Sequence, residues 1–247
     1  MIVAPVLEAE HLYLSFGGVR AVDDVSLALA EGEFLAIIGQ NGAGKSTFLN
    51  ICTGYLRPER GEVRVGGRSI LGMTPRAITR IGIARAFQHP QLFLQRTVLD
   101  HLCFAVSAGR AGFWRPFHPL ASSTLAADVE GLLRLCDLEQ VADSPARAIP
   151  EGARKLLDVG MALALQPRIM LLDEPTSGVS SAEKLGLMTR LVAALRARYV
   201  SAVFVEHDMD VVSRFADRVA VWAEGRLLRL GRPEEVLADP EVKVRVL

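Results

Sequence analysis

The chain opens with two stretches in which apolar and polar residues alternate, LEAEHLYLSF from Leu7 to Phe16 and VDDVSLALAEGE from Val22 to Glu33. Alternation with period two predicts half-buried strands. The run that follows, EFLAIIG, ends at Gly39 and does not alternate. A short continuous apolar run predicts a strand covered on both faces, as in a parallel sheet. KSTFLNICTGYL predicts a helix that stops near Gly54 and Pro58, and GEVRVGGRSI predicts another strand and turn. From about Pro90 to Gln166 the strand signal fades. TVLDHLCFAVSAG, STLAADVEGLLRLCDL and GARKLLDVGMALAL carry helical spacing, separated by RAGFWRPFHP and VADSPARAIP. After Pro167, strand and helix signals alternate through RIMLLDE, SAEKLGLMTRLVAALRAR, VSAVFVEH, MDVVSRFAD and RVAVWAEGRLLRLG. The pattern predicts an α/β fold with a helical insert: a core of residues 1–89 and about 167–247, and a lobe at about 90–166.

Composition narrows the picture. The chain has 247 residues, half of them apolar, enough for one large domain or a domain with a sub-lobe. Lys plus Arg equals Asp plus Glu at 28 each, and no long basic run is present, which argues against a nucleic-acid partner. Cys52, Cys103 and Cys136 are scattered and odd in number, so neither a disulfide framework nor a metal spacing is expected. The N-terminal residues lack the basic and apolar regions of a signal peptide, and no uncharged apolar stretch reaches spanning length.

The chemistry begins at GQNGAGKST, Gly39 to Thr47. Its spacing, G-x-x-x-x-G-K-S between a strand and a helix, is that of a phosphate-binding loop. Gly39, Gly42 and Gly44 free the backbone so that N–H groups of the loop, including those of Asn41, Ala43 and Thr47, can converge on phosphate oxygens. The new helix adds its partial positive charge. Lys45 can reach the β- and γ-phosphates and the Ser46 hydroxyl can hold Mg²⁺. RIMLLDEP ends a buried strand with two carboxylates, which is costly unless they are used. Asp173 is placed to hold the metal, Glu174 to polarise an attacking water. Two acids that merely start a turn are the alternative reading, and the phosphate loop beside them argues against it.

These motifs resemble those of the nucleotide-binding subunits of ATP-binding-cassette (ABC) transporters, and the similarity covers essentially the whole chain. IARAFQHPQLF, LLDEPTSGVS, VFVEHDMDVV and GRPEEVLADPEV are similar, more specifically, to the ATPase subunits of branched-chain amino-acid uptake systems. The resemblance implies a P-loop NTPase of the ABC ATPase type, with a mixed-sheet core and an inserted helical lobe. It implies ATP and Mg²⁺ as cofactors and hydrolysis of the β–γ bond. Gln88 matches the glutamine that contacts metal and attacking water. His207, 207 − 174 = 33 residues after Glu174, matches the histidine that contacts the γ-phosphate. Phe16 matches the aromatic that stacks on adenine, with a strand-end core aromatic as the alternative reading. The implied partners are membrane permease subunits, a second ABC ATPase packed head to tail, identical or not, and indirectly a substrate-binding protein. The implied location is the cytoplasmic face of the membrane. Export or lipid transport by a similar cassette, action on ribosomes or DNA, and a regulatory cassette that holds ATP without cleaving it are the alternatives.

Two places depart from the family pattern. The signature L-S-G-G-Q, which caps the ATP of the opposing subunit, is here IPEGA, Ile149–Ala153. Pro150 stands where a serine is usual and has neither hydroxyl nor N–H to donate. Glu151 brings negative charge. Pro suits the first helical position, Gly152 keeps its place, and Arg154 and Lys155 follow, so PEGARK is expected to be a modified phosphate cap. The other departure is Ser180, where an acidic or amide residue is usual. With Glu183 it predicts a capping box for the next helix.

Overall fold

A computed structural model describes residues 4–110 and 123–245. Most of the predicted separator RAGFWRPFHP lies outside them. Strands β1 (Leu7–Phe16) and β2 (Val19–Leu29) form a hairpin turned on Gly17 and Gly18, both at positive φ. Strand β3 (Phe34–Gly39) runs into helix α1 (Lys45–Cys52). Then come β4 (Arg60–Val65), β5 (Arg68–Ser69), α2 (Pro75–Arg80) and β6 (Ile83–Ala86). Three helices follow: α3 (Val98–Arg110), α4 (Ser123–Leu135) and α5 (Glu151–Leu163). The last third is β7 (Ile169–Asp173), α6 (Ser181–Ala197), β8 (Ser201–Val205), α7 (Met209–Phe215), β9 (Arg218–Ala223), β10 (Arg226–Gly231), α8 (Pro233–Ala238) and α9 (Pro240–Arg245).

The strands make two sheets. One is antiparallel, in the order β2-β1-β4-β5; the other runs β10-β9-β3-β8-β7-β6 and is parallel except at β10. The unalternating run at β3 is explained by its two faces. Phe34, Ala36 and Ile38 join the core formed with the helices, whereas Leu35 and Ile37 join the core formed with the antiparallel sheet and α1. Every residue of β3 and β8 is therefore buried. The same split at β7 sends Met170 and Leu172 one way, Ile169 and Leu171 the other.

Two local features differ from the sequence expectation. Helices α2, α8 and α9, six residues each, are too short to show an amphipathic repeat. Thr74 caps α2 by accepting the Ala77 N–H at 3.3 Å, with Pro75 in the first turn. Ser180 does begin α6, but the capping box does not form. Its hydroxyl donates to the Glu183 carboxylate at 2.5 Å, and the Glu183 N–H goes to the Ser180 carbonyl at 2.9 Å. The neighbouring carboxylate is the stronger acceptor and takes the hydroxyl from the backbone.

Helix α5 packs beside β6, and its Asp158 carboxylate accepts the Phe87 N–H at 3.1 Å. Burial pushes this carboxyl up to about 6, against the opposing pull of that N–H and of Lys155. A raised folded pKa means the neutral form is favoured on folding. The stabilisation is full below the unfolded pKa of 3.8 and is lost as pH rises through about 6. A shift of this size is worth on the order of 3 kcal/mol. Asp158→Asn keeps an acceptor for Phe87 and removes the titration. Its thermal stability, measured from pH 4 to 7, is expected to rise relative to the parent by several degrees as pH increases; parallel pH curves would contradict this origin.

Candidate functional site

Four neighbouring parallel strands, β3, β8, β7 and β6, end on one edge, the usual place for a ligand in a parallel sheet. The edge is in register: Ile37 pairs with Val205, Val205 with Asp173, and Leu172 with Ala86. The residue or two after each strand therefore face a common space.

After β3 the chain turns through residues 40–44. Gly44 sits at φ 102° as the residue before α1, and a Cβ there would fall on the Ala21 carbonyl oxygen. A Cβ on Gly39 would fall on the Trp222 carbonyl. Both glycines are required by close backbone approach as well as by dihedral angle. Lys45 opens α1 and folds back over the loop, donating to the Gly39 carbonyl at 2.5 Å and the Gln40 carbonyl at 2.9 Å. Desolvation holds its pKa below the usual lysine range, partly offset by Glu174 and Asp173. Ser46 and Thr47 lie in the first turn of α1, whose N–H groups have no partners within the helix. Asn41, Gly42 and Ala43 form the outer loop, together with Gln40, whose side chain donates to the Arg245 carbonyl at 2.8 Å. Phe16 is half exposed at the end of β1, on the hairpin whose other arm meets Gly44 at Ala21.

Three strand ends converge on one carboxylate. Glu174, just past β7, receives a hydrogen bond from Gln88 Nε2 on Oε2 at 2.5 Å. His207 Nε2, two residues past β8, lies 3.2 Å from Oε1. Glu174 is at φ 49°, a left-handed conformation uncommon outside glycine. Its N–H is held by the Val205 carbonyl at 3.1 Å. Asp173 is engaged by Arg85, whose guanidinium lies 2.7 Å from Oδ2. The same guanidinium donates to Asn50 of α1 at 2.5 Å. Behind them, buried Glu206 accepts the Thr176 N–H at 2.9 Å and the His207 N–H at 3.2 Å.

The start of α5 corrects an expectation. Pro150 is the residue before the helix, not its first residue. Arg154 is turned onto its own chain, donating to the Ala146 and Arg147 carbonyls at 2.9 Å each. Lys155 is buried and donates to the Gln88 and Glu174 carbonyls and the Ser177 hydroxyl. Neither cation is free to support a phosphate. Glu151 lies in the first turn near Arg154 and Gly178, and Gly152 has open space where a Cβ would be.

Arg85 and Lys155 are the residues whose places the sequence reading missed. An arginine inside the apolar strand IARA, and a lysine four residues before Val159 on the buried side of α5, were the available signals. A buried cation demands partners. The donor set of Ser46 hydroxyl, Asp173 carboxylate and Gln88 amide oxygen is all hard oxygen, as Mg²⁺ requires.

Among the described residues, no helix is long and apolar enough to cross a membrane. The ABC transporter family profile matches residues 22–177. The high-affinity branched-chain amino acid transport ATP-binding protein LivG of Salmonella typhimurium is 34% identical, over 96% of each chain. The cobalt import ATP-binding protein CbiO of Rhodobacter capsulatus is 37% identical, over 96% of this chain and 82% of its own. Among solved structures, the ADP conformation of MJ1267, an ATP-binding cassette of an ABC transporter, superposes with a TM-score of 0.86, at 29% identity over 98% of both chains. With a glycine loop, paired acids and strand-end glutamine and histidine set on this sheet, the chain belongs to the ABC transporter family as an ATP-binding, ATP-hydrolysing subunit.

Proposed function

We propose that this subunit cleaves ATP with Mg²⁺ at a site closed by a second ATPase, and so drives import of branched-chain amino acids or related small polar or amide solutes. The observation that carries the chemistry is the convergence of Gln88 and His207 on Glu174. Glu174 takes the proton from the attacking water as general base. Gln88 orients that water, and His207 steadies the γ-phosphate. Lys45 leaves the loop carbonyls for the phosphates, aided by the backbone of Gly39, Asn41, Gly42, Ala43, Gly44, Ser46 and Thr47. Phe16 stacks on the base. Mg²⁺, held by Ser46, Asp173 and Gln88, would neutralise charge on the β- and γ-phosphates. The LivG relative supports an amino-acid cargo, while the CbiO relative supports a metal-ion cargo with the same cassette chemistry.

The partner ATPase packs head to tail, with Pro150–Gly152 facing its nucleotide. Without a serine hydroxyl, and with Arg154 and Lys155 committed elsewhere, only the N–H groups at the start of α5 remain to donate. Cleavage at that opposite site is accordingly slower. The division into a core of 1–89 and 167–247 and a helical lobe of 90–166 leaves a cleft of about 310 Å³ between them, lined by Tyr55, Ile78, Phe87, Ala105 and Met161 among others. On the helical lobe Phe93 is 65% exposed, its ring 6.5 Å from that of half-exposed Phe104. Membrane permease subunits dock here, on the cytoplasmic face, and a substrate-binding protein acts through them.

Glu174→Gln is expected to keep ATP affinity and to lower turnover by at least ~10²-fold, the scale of losing a general base. Steady-state phosphate release alongside nucleotide binding checks this, and undiminished release would remove Glu174 from the role. Phe93→Asp is expected to uncouple transport while basal ATPase activity stays within about twofold, because it changes the rim and not the site. Leu92 packs against the core and is a poorer choice for this test. Vesicle uptake measured beside ATP cleavage separates the two, and normal uptake by the variant would move the docking surface elsewhere.

A further inference from the structure

We propose that Lys155 is a positioning residue that fixes Glu174 and Gln88 relative to each other and to the start of α5. Lys155 is 4% exposed. Its ammonium has three N–H donors, and three acceptors lie within reach: the Gln88 carbonyl at 3.0 Å, the Glu174 carbonyl at 3.2 Å and the Ser177 hydroxyl at 3.3 Å. The stem emerges from the apolar side of α5, between Leu156 and Val159, where a leucine or methionine would pack at no electrostatic cost. Burial lowers the lysine pKa, so the charge is held there against desolvation.

The acceptors explain what the charge does. Two of them are main-chain oxygens of the residues whose side chains meet at 2.5 Å over the proposed water site. Glu174 occupies a left-handed conformation that its own preferences disfavour, and a hydrogen bond to its carbonyl resists its relaxation. One turn further along α5, Asp158 accepts the Phe87 N–H, so the helix grips the backbone on both sides of the 87–88 peptide. A tilt of α5 is therefore felt at Gln88 and Glu174 together. Because α5 starts at Pro150–Gly152, the same rigid piece joins this chain's water-activating groups to the cap over the opposite nucleotide. The inference rests on Glu174 being the base.

The test uses the full chain assembled with its membrane partners. Lys155→Met keeps the stem and removes the ammonium. Turnover is expected to fall ~10–100-fold, the scale of a misplaced reacting group, with KM and the Kd for a fluorescent ATP analogue within about twofold of the parent. Amide hydrogen exchange without nucleotide is expected to speed up at residues 86–90 and 174–178 and to stay unchanged in β3 and β8. Ser177→Ala removes one acceptor and should give the same split at smaller amplitude. That variant decides the matter if Lys155→Met does not fold. Unchanged turnover, or loss of turnover and affinity together with faster exchange throughout the chain, would overturn the proposal. Glu174→Gln is the companion control. If it retains full turnover the base assignment fails, and the local exchange result alone then decides whether Lys155 holds the two backbones.

Discussion

The structure depends on the pairing of buried charge at the C-terminal edge of the parallel sheet. Arg85 pairs with Asp173, while Lys45 feels the charges of Glu174 and Asp173, and Lys155 those of Glu206, Asp158 and Glu174. Removing an ion from water costs several kcal/mol unless its donors or acceptors are met. Each group here is met by a specific atom: Arg85 by Asp173 and Asn50, Glu206 by two backbone N–H groups, Lys155 by three oxygens. Those contacts hold only if strands β6, β7, β8 and β3 end level with one another. Strand register and site geometry are thus one constraint.

The lysines show how that constraint divides labour. Lys155 has as many acceptors as donors and is finished within its own chain. Lys45 has three donors and, among the described residues, two carbonyl partners from the loop it opens. Neutral carbonyls are weaker partners for an ammonium than anionic oxygens. The unfilled capacity of Lys45, beside unpartnered N–H groups at the start of α1, is what a triphosphate would complete. Arg85 keeps the nearly buried Asp173 carboxylate paired within the chain itself.

Much of this was legible in the sequence because it rests on local pattern. The unalternating β3 run, the glycine spacing and the acids closing RIMLLDE each follow from a period or a dihedral requirement. The separation into two sheets was not legible. Alternation at β1 and β2 says that one face is buried, not against which sheet. Nor was the use of Arg154 and Lys155. Both look like free cations behind a helix start; Arg154 is taken by the Ala146 and Arg147 carbonyls just before α5, and the packing of α5 on β6 turns Lys155 inward. Ser180 failed for a subtler reason: the motif S-x-x-E supports two hydrogen-bond patterns, and the side-chain pair outcompeted the backbone.

The central claim is that Lys45 is held in reserve by its own loop for the phosphates of ATP. The measurement that tests it most directly is a structure of the Glu174→Gln chain in its assembled pair with ATP and Mg²⁺. The account predicts that Lys45 Nζ leaves the carbonyls of Gly39 and Gln40 and lies at ~2.8 Å from β- and γ-phosphate oxygens, a charge-assisted distance. Triphosphate bound with Lys45 still on those two carbonyls, or bound away from residues 39–47, would contradict it.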